Sequence, residues 1–150
     1  MKNIFDLNYS LIVALVVQVL CQVYKFIYYS IKEKAINPKY LATAGGMPSA
    51  HSAFVTSLSL SIGLISGFSS PLFAIAGVFA VITIYDAYRV RGTVQKQSKI
   101  INALLKERED LNFKNVEEMV GHSIPEIIAG IITGALLALG LYLLYTQGLA

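Results

Sequence analysis

Cysteine is almost absent from this 150-residue chain, and histidine occurs only twice. A single cysteine cannot close an internal disulfide, and it makes thiolate metal sites and redox chemistry poor candidates. Cys21 lies inside an apolar run, where a small hydrophobe is its simplest role. Charge is also scarce: Asp, Glu, Lys and Arg make up 14% of the residues, against about 25% in soluble domains. The net charge of +3 comes with no basic run interleaved with aromatics, which excludes a nucleic-acid partner. Repeats and low-complexity tracts are missing, so residues 1–150 read as one domain. What is plentiful is hydrophobic surface: 55% of residues, with a mean hydropathy of +0.62. The chain reads as an integral membrane protein.

Four apolar segments stand out, at about 9–29, 49–68, 71–88 and 125–145. Each approaches the ~20 residues that carry a helix across a bilayer, and in lipid a helix is the form that satisfies its own backbone. The first has a weak basic front and no small-residue cleavage site, so it is expected to be a mature helix and not a cleaved leader. The expected fold is all-α: four transmembrane helices plus an amphipathic cytoplasmic helix. That extra helix is predicted in GTVQKQSKIINALLKE, where Val94, Ile101, Leu104 and Leu105 fall near one face. It could lie on the membrane surface or pack under the bundle. The second segment is rich in Ser, Ala and Gly, and the fourth has Gly130, Gly134 and Ala138 at four-residue spacing. Small residues at that spacing let helices approach closely in lipid, so these two are expected to pack inside the bundle.

The links set the topology. Lys32, Lys34 and Lys39 (against Glu33) sit between the first two segments. Arg89, Arg91, Lys96, Lys99, Lys106, Arg108 and Lys114 sit between the last two, with Glu107, Glu109, Asp110, Glu117 and Glu118. With four spans both charged links share one side, and the positive-inside rule places it in the cytoplasm.

Ionisable residues at the ends of membrane helices are costly and mark function. Lys25 lies near the end of the first helix, Ser49 and His51 open the second, Asp86, Arg89 and Arg91 close the third, and His122 and Glu126 open the fourth. In an up-down bundle all of them fall in one layer. Helix N-termini, arginine forks and a lysine suit a tetrahedral anion. Two histidines then suggest phosphoryl transfer, one as nucleophile and one as general acid. His122 and Glu126 are spaced i, i+4, so the carboxylate can orient the imidazole. This favours His122 as nucleophile, Glu126 as its partner and His51 as acid.

The stretches GGMPSAHSAF and GHSIPEIIAG carry a resemblance. They resemble the type-2 phosphatidic acid phosphatase superfamily, and more closely its divergent branch of acid phosphatase/vanadium-dependent haloperoxidase-related membrane proteins, over about residues 18–134. The resemblance implies that Ser49 and the Ala50 amide bind the substrate phosphate, that His51 is the acid, and that His122 with Glu126 is the nucleophilic pair. It also implies a bacterial cytoplasmic (inner) membrane. The superfamily pattern is incomplete here: Ala50 replaces a glycine, Val116 stands where an arginine is expected, and no Arg-Pro follows Lys25. Arg89 and Arg91 are the candidates to supply the missing charge.

The expected function is therefore a membrane phosphatase that hydrolyses a lipid phosphate monoester through a phosphohistidine. Phosphatidylglycerophosphate is favoured, with phosphatidic acid and polyprenyl (pyro)phosphates open. No cofactor is expected: there is no H-E-x-x-H, and clustered cations oppose a metal. The expected partners are the bilayer and its lipid phosphate; a homo-oligomer that encloses the site is an open alternative. Several residues have simpler readings. Arg89 and Arg91 could anchor a helix end, Lys25 could snorkel, and Asp86 could pair with an arginine structurally. The competing function is a non-catalytic protein that binds or moves anionic lipid.

Overall fold

A computed structural model describes residues 4–36, 38, 45–107, 113–116, 118 and 121–148, with side chains described from Tyr9 onward. Lys39, Arg108, Glu109, Asp110 and Glu117, counted above in the charged links, lie outside the described residues. Among the described residues there are five helices and no strand: α1 (Ile4–Glu33), α2 (Ala50–Ser66), α3 (Pro71–Tyr88), α4 (Val90–Glu107) and α5 (Ile124–Gln147).

Serine starts three of the helices. Ser49 Oγ accepts the Ser52 N–H at 3.3 Å, and Ser70 Oγ accepts the Phe73 N–H at 3.2 Å ahead of Pro71. Ser123 precedes α5, whose first turn carries Pro125. These caps satisfy amides that the first helical turn leaves open, and proline is tolerated there because its missing N–H would have been unpaired. Gly67 ends α2 at φ 90°, a backbone conformation that glycine adopts without a Cβ penalty.

Packing is inverted relative to a soluble bundle. Alanine, serine and glycine fill the interior, whereas Val81 is 68% and Leu136 65% exposed. Such a surface is stable in lipid and not in water. Among the described residues three helical stretches are long and apolar enough to cross a bilayer: Tyr9–Glu33 within α1, Pro71–Glu107 through α3 and α4, and Ile124–Gln147, which is α5. The 17-residue α2 is shorter than expected from its apolar run. It occupies the centre, packed against α1, α5 and α3. Its buried serines spend their hydroxyls on its own backbone: Ser57 donates to the Phe54 carbonyl at 2.9 Å and Ser61 to that of Leu58 at 3.0 Å. Serine therefore serves here as a small side chain that carries no unmet polar group.

Gly130 and Gly134 on α5 face the α2 backbone at Ser49 and Ala53, as the small-residue spacing predicts. Tyr9 near the start of α1 meets Tyr145 near the end of α5, with ring centroids 4.4 Å apart. Thus α1 and α5 are antiparallel. The late part of α1, the starts of α2 and α5 and the end of α3 lie in one layer.

The amphipathic helix α4 follows α3 after one residue, Arg89. Its buried residues are Ser98 and Asn102, whereas Val94, Ile101 and Leu104 remain 40–58% exposed. Asn102 acts as a clamp. Its Nδ2 donates to the Val116 carbonyl and to Glu118 Oε1, and its Oδ1 accepts the Val116 N–H, each at 2.8 Å. The polar side of α4 thus holds the following segment, and its apolar stripe is left outward.

Candidate active site

Two backbone hydrogen bonds position the histidines. The Ser49 N–H donates to the Glu126 carbonyl at 3.0 Å, which ties the start of α2 to the first turn of α5. The His122 N–H donates to the Ala87 carbonyl at 3.3 Å, which ties the approach to α5 to the end of α3. Gly121 fits against the first turn of α4, where an added Cβ would come within 2.9 Å of the Arg91 carbonyl oxygen and Gly92 Cα. With these constraints the rings of His51 and His122 lie 6.2 Å apart, inclined at 65°.

His122 is buried, and its Nδ1 meets Glu126 Oε2 at 3.1 Å. The same oxygen accepts the Ser123 N–H at 3.1 Å, one half of a capping box. A carboxylate only accepts, so Nδ1 carries the proton and Nε2 the lone pair. Nε2 is buried and has no hydrogen-bond partner among the described residues; His51 Nδ1 is in the same position. Buried polar atoms are nearly always paired, so these two nitrogens are free to meet a polar group. Burial holds the His122 imidazole below its ordinary pKa. Glu126 partly offsets that, while Lys25 and Arg91 reinforce it. His122 is neutral at pH 7, the form a nucleophile needs.

Lys25 is fully buried and reaches the Gly45 carbonyl at 3.5 Å. The neighbouring Gly46 is at φ +90°, and a Cβ there would strike the Tyr29 hydroxyl. Arg91 Nε pairs with Asp86 Oδ2 at 3.2 Å, across the α3–α4 break. Arg91 and Lys25 are both close enough to act electrostatically on both histidines. The site therefore sets two cations, Lys25 and Arg91, against two carboxylates, Glu126 on His122 and Asp86 on Arg91.

Five of the expected residues, Lys25, His51, Arg91, His122 and Glu126, come together with Asp86 at their edge as the partner of Arg91. Two are placed less directly. Arg89 is exposed and lines a cleft on the flank of α4 with Lys96 and Lys99, a cleft that reaches His122. Ser49 is fully buried, its N–H is taken by Glu126, and its Oγ accepts from the Ser52 amide and hydroxyl. Its groups shape the start of α2. Helix geometry leaves the Ala50 and His51 amides without intrahelical acceptors. Gly121 and Tyr29 are the site neighbours that sequence reasoning missed. Nothing local flags them, because their constraints come from α4 and from the loop before α2.

A sequence model described as the divergent PAP2 family matches residues 7–137, which takes in both histidine stretches and all the site residues above. The chain belongs to the divergent PAP2 family. It is 35% identical over 146 residues to the uncharacterized membrane protein YuiD of Bacillus subtilis strain 168, covering 88% of this chain and 92% of that protein. No solved structure matches it. This divergent PAP2 protein is an integral membrane protein, in keeping with its relative and its inverted packing. Its departures from the superfamily pattern also have locations. Val116, in place of the expected arginine, is pinned to α4 by Asn102, and Arg91 brings a guanidinium to the histidines from the other end of that helix.

Proposed function

We propose that this protein is a lipid-phosphate phosphatase that works through a phosphohistidine on His122. The observation that carries the reading is the His122–Glu126 pair, with Nδ1 held by the carboxylate and a buried, unpartnered Nε2 opposite His51. In-line transfer needs about 3 Å from nucleophile to phosphorus and a hydrogen bond of about 3 Å from the acid to the leaving oxygen. The 6.2 Å between ring centroids is of that scale. The Nε2 lone pair attacks phosphorus, the P–O ester bond breaks, and His51 protonates the departing alkoxide. Water then attacks phosphorus as His51 takes its proton, a new P–O bond forms, the P–N bond breaks, and phosphate leaves with the Nε2 lone pair restored. Lys25, Arg91 and the Ala50 and His51 amides bind the phosphate oxygens, and the phosphate's charge in turn favours a proton on His51.

A lipid substrate is supported by a groove of about 450 Å³ between α1 and α5, lined by Leu20, Cys21, Tyr24, Pro48, Ala129 and Leu137. Pro48 adjoins Ser49, and Cys21 lies one turn from Lys25, so a chain in this groove would end at the pocket. Four spans fit the connectivity. If α1, α3 and α5 cross, α2 must carry the chain back from the site layer to the start of α3. Lysines and arginines on the site side favour a pocket that faces the cytoplasm of a bacterial inner membrane. Phosphatidylglycerophosphate, made on that side, is the favoured substrate.

The purified protein should release phosphate from phosphatidylglycerophosphate, with phosphatidic acid and a polyprenyl phosphate as comparators, and chelators should not change the rate. No release from any of them would leave the competing reading, an anionic-lipid binder. One placement favours that alternative: the Ser49 hydroxyl serves as a cap.

The pH profile gives a signed test. His122 must be unprotonated to attack, so the acid limb of kcat/KM is expected below the ordinary imidazole value of about 6.5. Glu126 raises the His122 pKa. Glu126→Gln should therefore move that limb further acid, with a lower plateau because the imidazole loses its orienting partner. Using one substrate for both proteins cancels the phosphate's own ionisation. A limb that moves to higher pH in Glu126→Gln would contradict the assignment.

A further inference from the structure

The flank of α3, α4 and α5 holds two clefts, and the phosphoryl chemistry uses none of their cations. One, of about 400 Å³, is apolar and lies between α3 and α5, lined by Val81, Ile84, Tyr85, Tyr88, Ile124 and Ile127. The other, of about 320 Å³, lies beside α4 and is bordered by Arg89, Lys96 and Lys99, with Thr93 and Ser123, and His122 forms part of its wall. They are continuous. Tyr88 lines both, and the chain neighbours Ser123 and Ile124 line one each. No carboxylate lines either cleft among the described residues.

We infer that this composite cleft is a binding site for one anionic phospholipid, on the other side of the buried His122 from the His51 ring. The apolar part opens between two helices that are long and apolar enough to span, at the depth of acyl chains. The basic part begins where α3 ends, at the headgroup layer, and offers three cations and the Ser123 hydroxyl to a phosphodiester, the Thr93 hydroxyl being spent on the Arg89 carbonyl. Basic pockets between membrane helices at the cytoplasmic surface are suited to anionic headgroups. Helical phase separates this site from the other. Residues 89 and 91 are about 200° apart around the helix axis at 3.6 residues per turn, so Arg91 can turn to the histidines while Arg89 turns outward with Lys96. The unexpected exposure of Arg89 thereby has a use. The inference requires membrane insertion only and stands whether or not the histidine pocket cuts its ligand.

Native mass spectrometry of the whole protein, released from vesicles of equal phosphatidylglycerol and phosphatidylcholine, tests it. One phosphatidylglycerol should be retained per chain, preferred over phosphatidylcholine by at least about tenfold, given roughly 1 kcal/mol for each cation near a headgroup. Lys96→Gln with Lys99→Gln, both on exposed positions, should remove the preference. Ile84→Trp, which fills the apolar cleft, should reduce retention of both lipids. Lys25→Met, which lies outside both clefts, should leave retention unchanged. Equal retention of the two lipids, or a preference that survives the double lysine change, overturns the inference. So does loss of the lipid in Lys25→Met, which would place it in the histidine pocket, or a second copy of the chain in place of lipid.

Discussion

Replacing His122 by alanine should lower phosphate release from the preferred lipid phosphate by at least about 10³-fold, the scale on which removal of a covalent nucleophile acts. The basis is specific to Nε2. Nδ1 is already engaged with Glu126, and Nε2 is the buried, unpartnered nitrogen of the ring that faces His51. His122→Asn is the sharper variant, because its amide can donate toward Glu126 much as Nδ1 does and yet offers no nucleophilic nitrogen. Glu126 Oε2 keeps the Ser123 N–H in either variant, so neither change strands the carboxylate. Wild type quenched during turnover should carry acid-labile phosphate, and both variants should carry none. His51→Ala should behave differently. It should lose far more activity on alkyl phosphates, which need a proton on the departing oxygen, than on p-nitrophenyl phosphate, which does not. Substantial turnover by His122→Asn, or equal losses on the two ester types in His51→Ala, would refute the division of labour.

That division could be reasoned from sequence because both histidines announce themselves locally. His122 and Glu126 are one turn apart beside a helix start, and His51 follows a Pro-Ser step at another. Helices α3 and α5 follow directly from their apolar runs, and the small-residue spacing in α5 pointed to its close neighbour. Other features were hidden for physical reasons. A serine before a helix looks the same in sequence whether its oxygen turns to its own amides or to a ligand, so the capping role of Ser49 needed coordinates. Arg89 and Arg91 flank a break between helices, and their directions depend on the phase of that break. Asn102 lies on the polar side of an amphipathic helix, where solvent exposure is the natural expectation, yet it is buried and clamps residue 116. Gly121 is constrained by residues 91–95, far away in sequence. In each case the deciding partner is tertiary.

The largest effect on stability should come from Gly134→Leu. A Cβ at Gly134 meets the Ala53 carbonyl oxygen, with Ala53 Cα at 2.9 Å and its carbonyl carbon at 3.0 Å. These are backbone atoms of α2, so no rotamer change can make room, and the helices must separate. Overpacking of this kind costs about 1–3 kcal/mol and occasionally more; backbone-on-backbone contact belongs at the upper end, which corresponds to a fall of about 10 °C in Tm for a chain of this size. Gly140 provides the control. It lies on the same helix with no atom within 4 Å of an added Cβ, so Gly140→Leu should melt at or slightly above the wild-type temperature, since leucine is the better helix former. The same contact controls the site. Two turns of α5 separate Gly134 from Glu126, whose carbonyl holds the Ser49 amide and so the first turn of α2 that carries His51. Even the mild Gly134→Ala should therefore reduce phosphate release more than it reduces Tm, because a shift of about 1 Å between α2 and α5 moves the acid away from the nucleophile at a cost of roughly 10²-fold. Equal melting temperatures for Gly134→Leu and Gly140→Leu in detergent would show that the two helices do not meet at Ala53, and the link from interior packing to the paired histidines would fall with it.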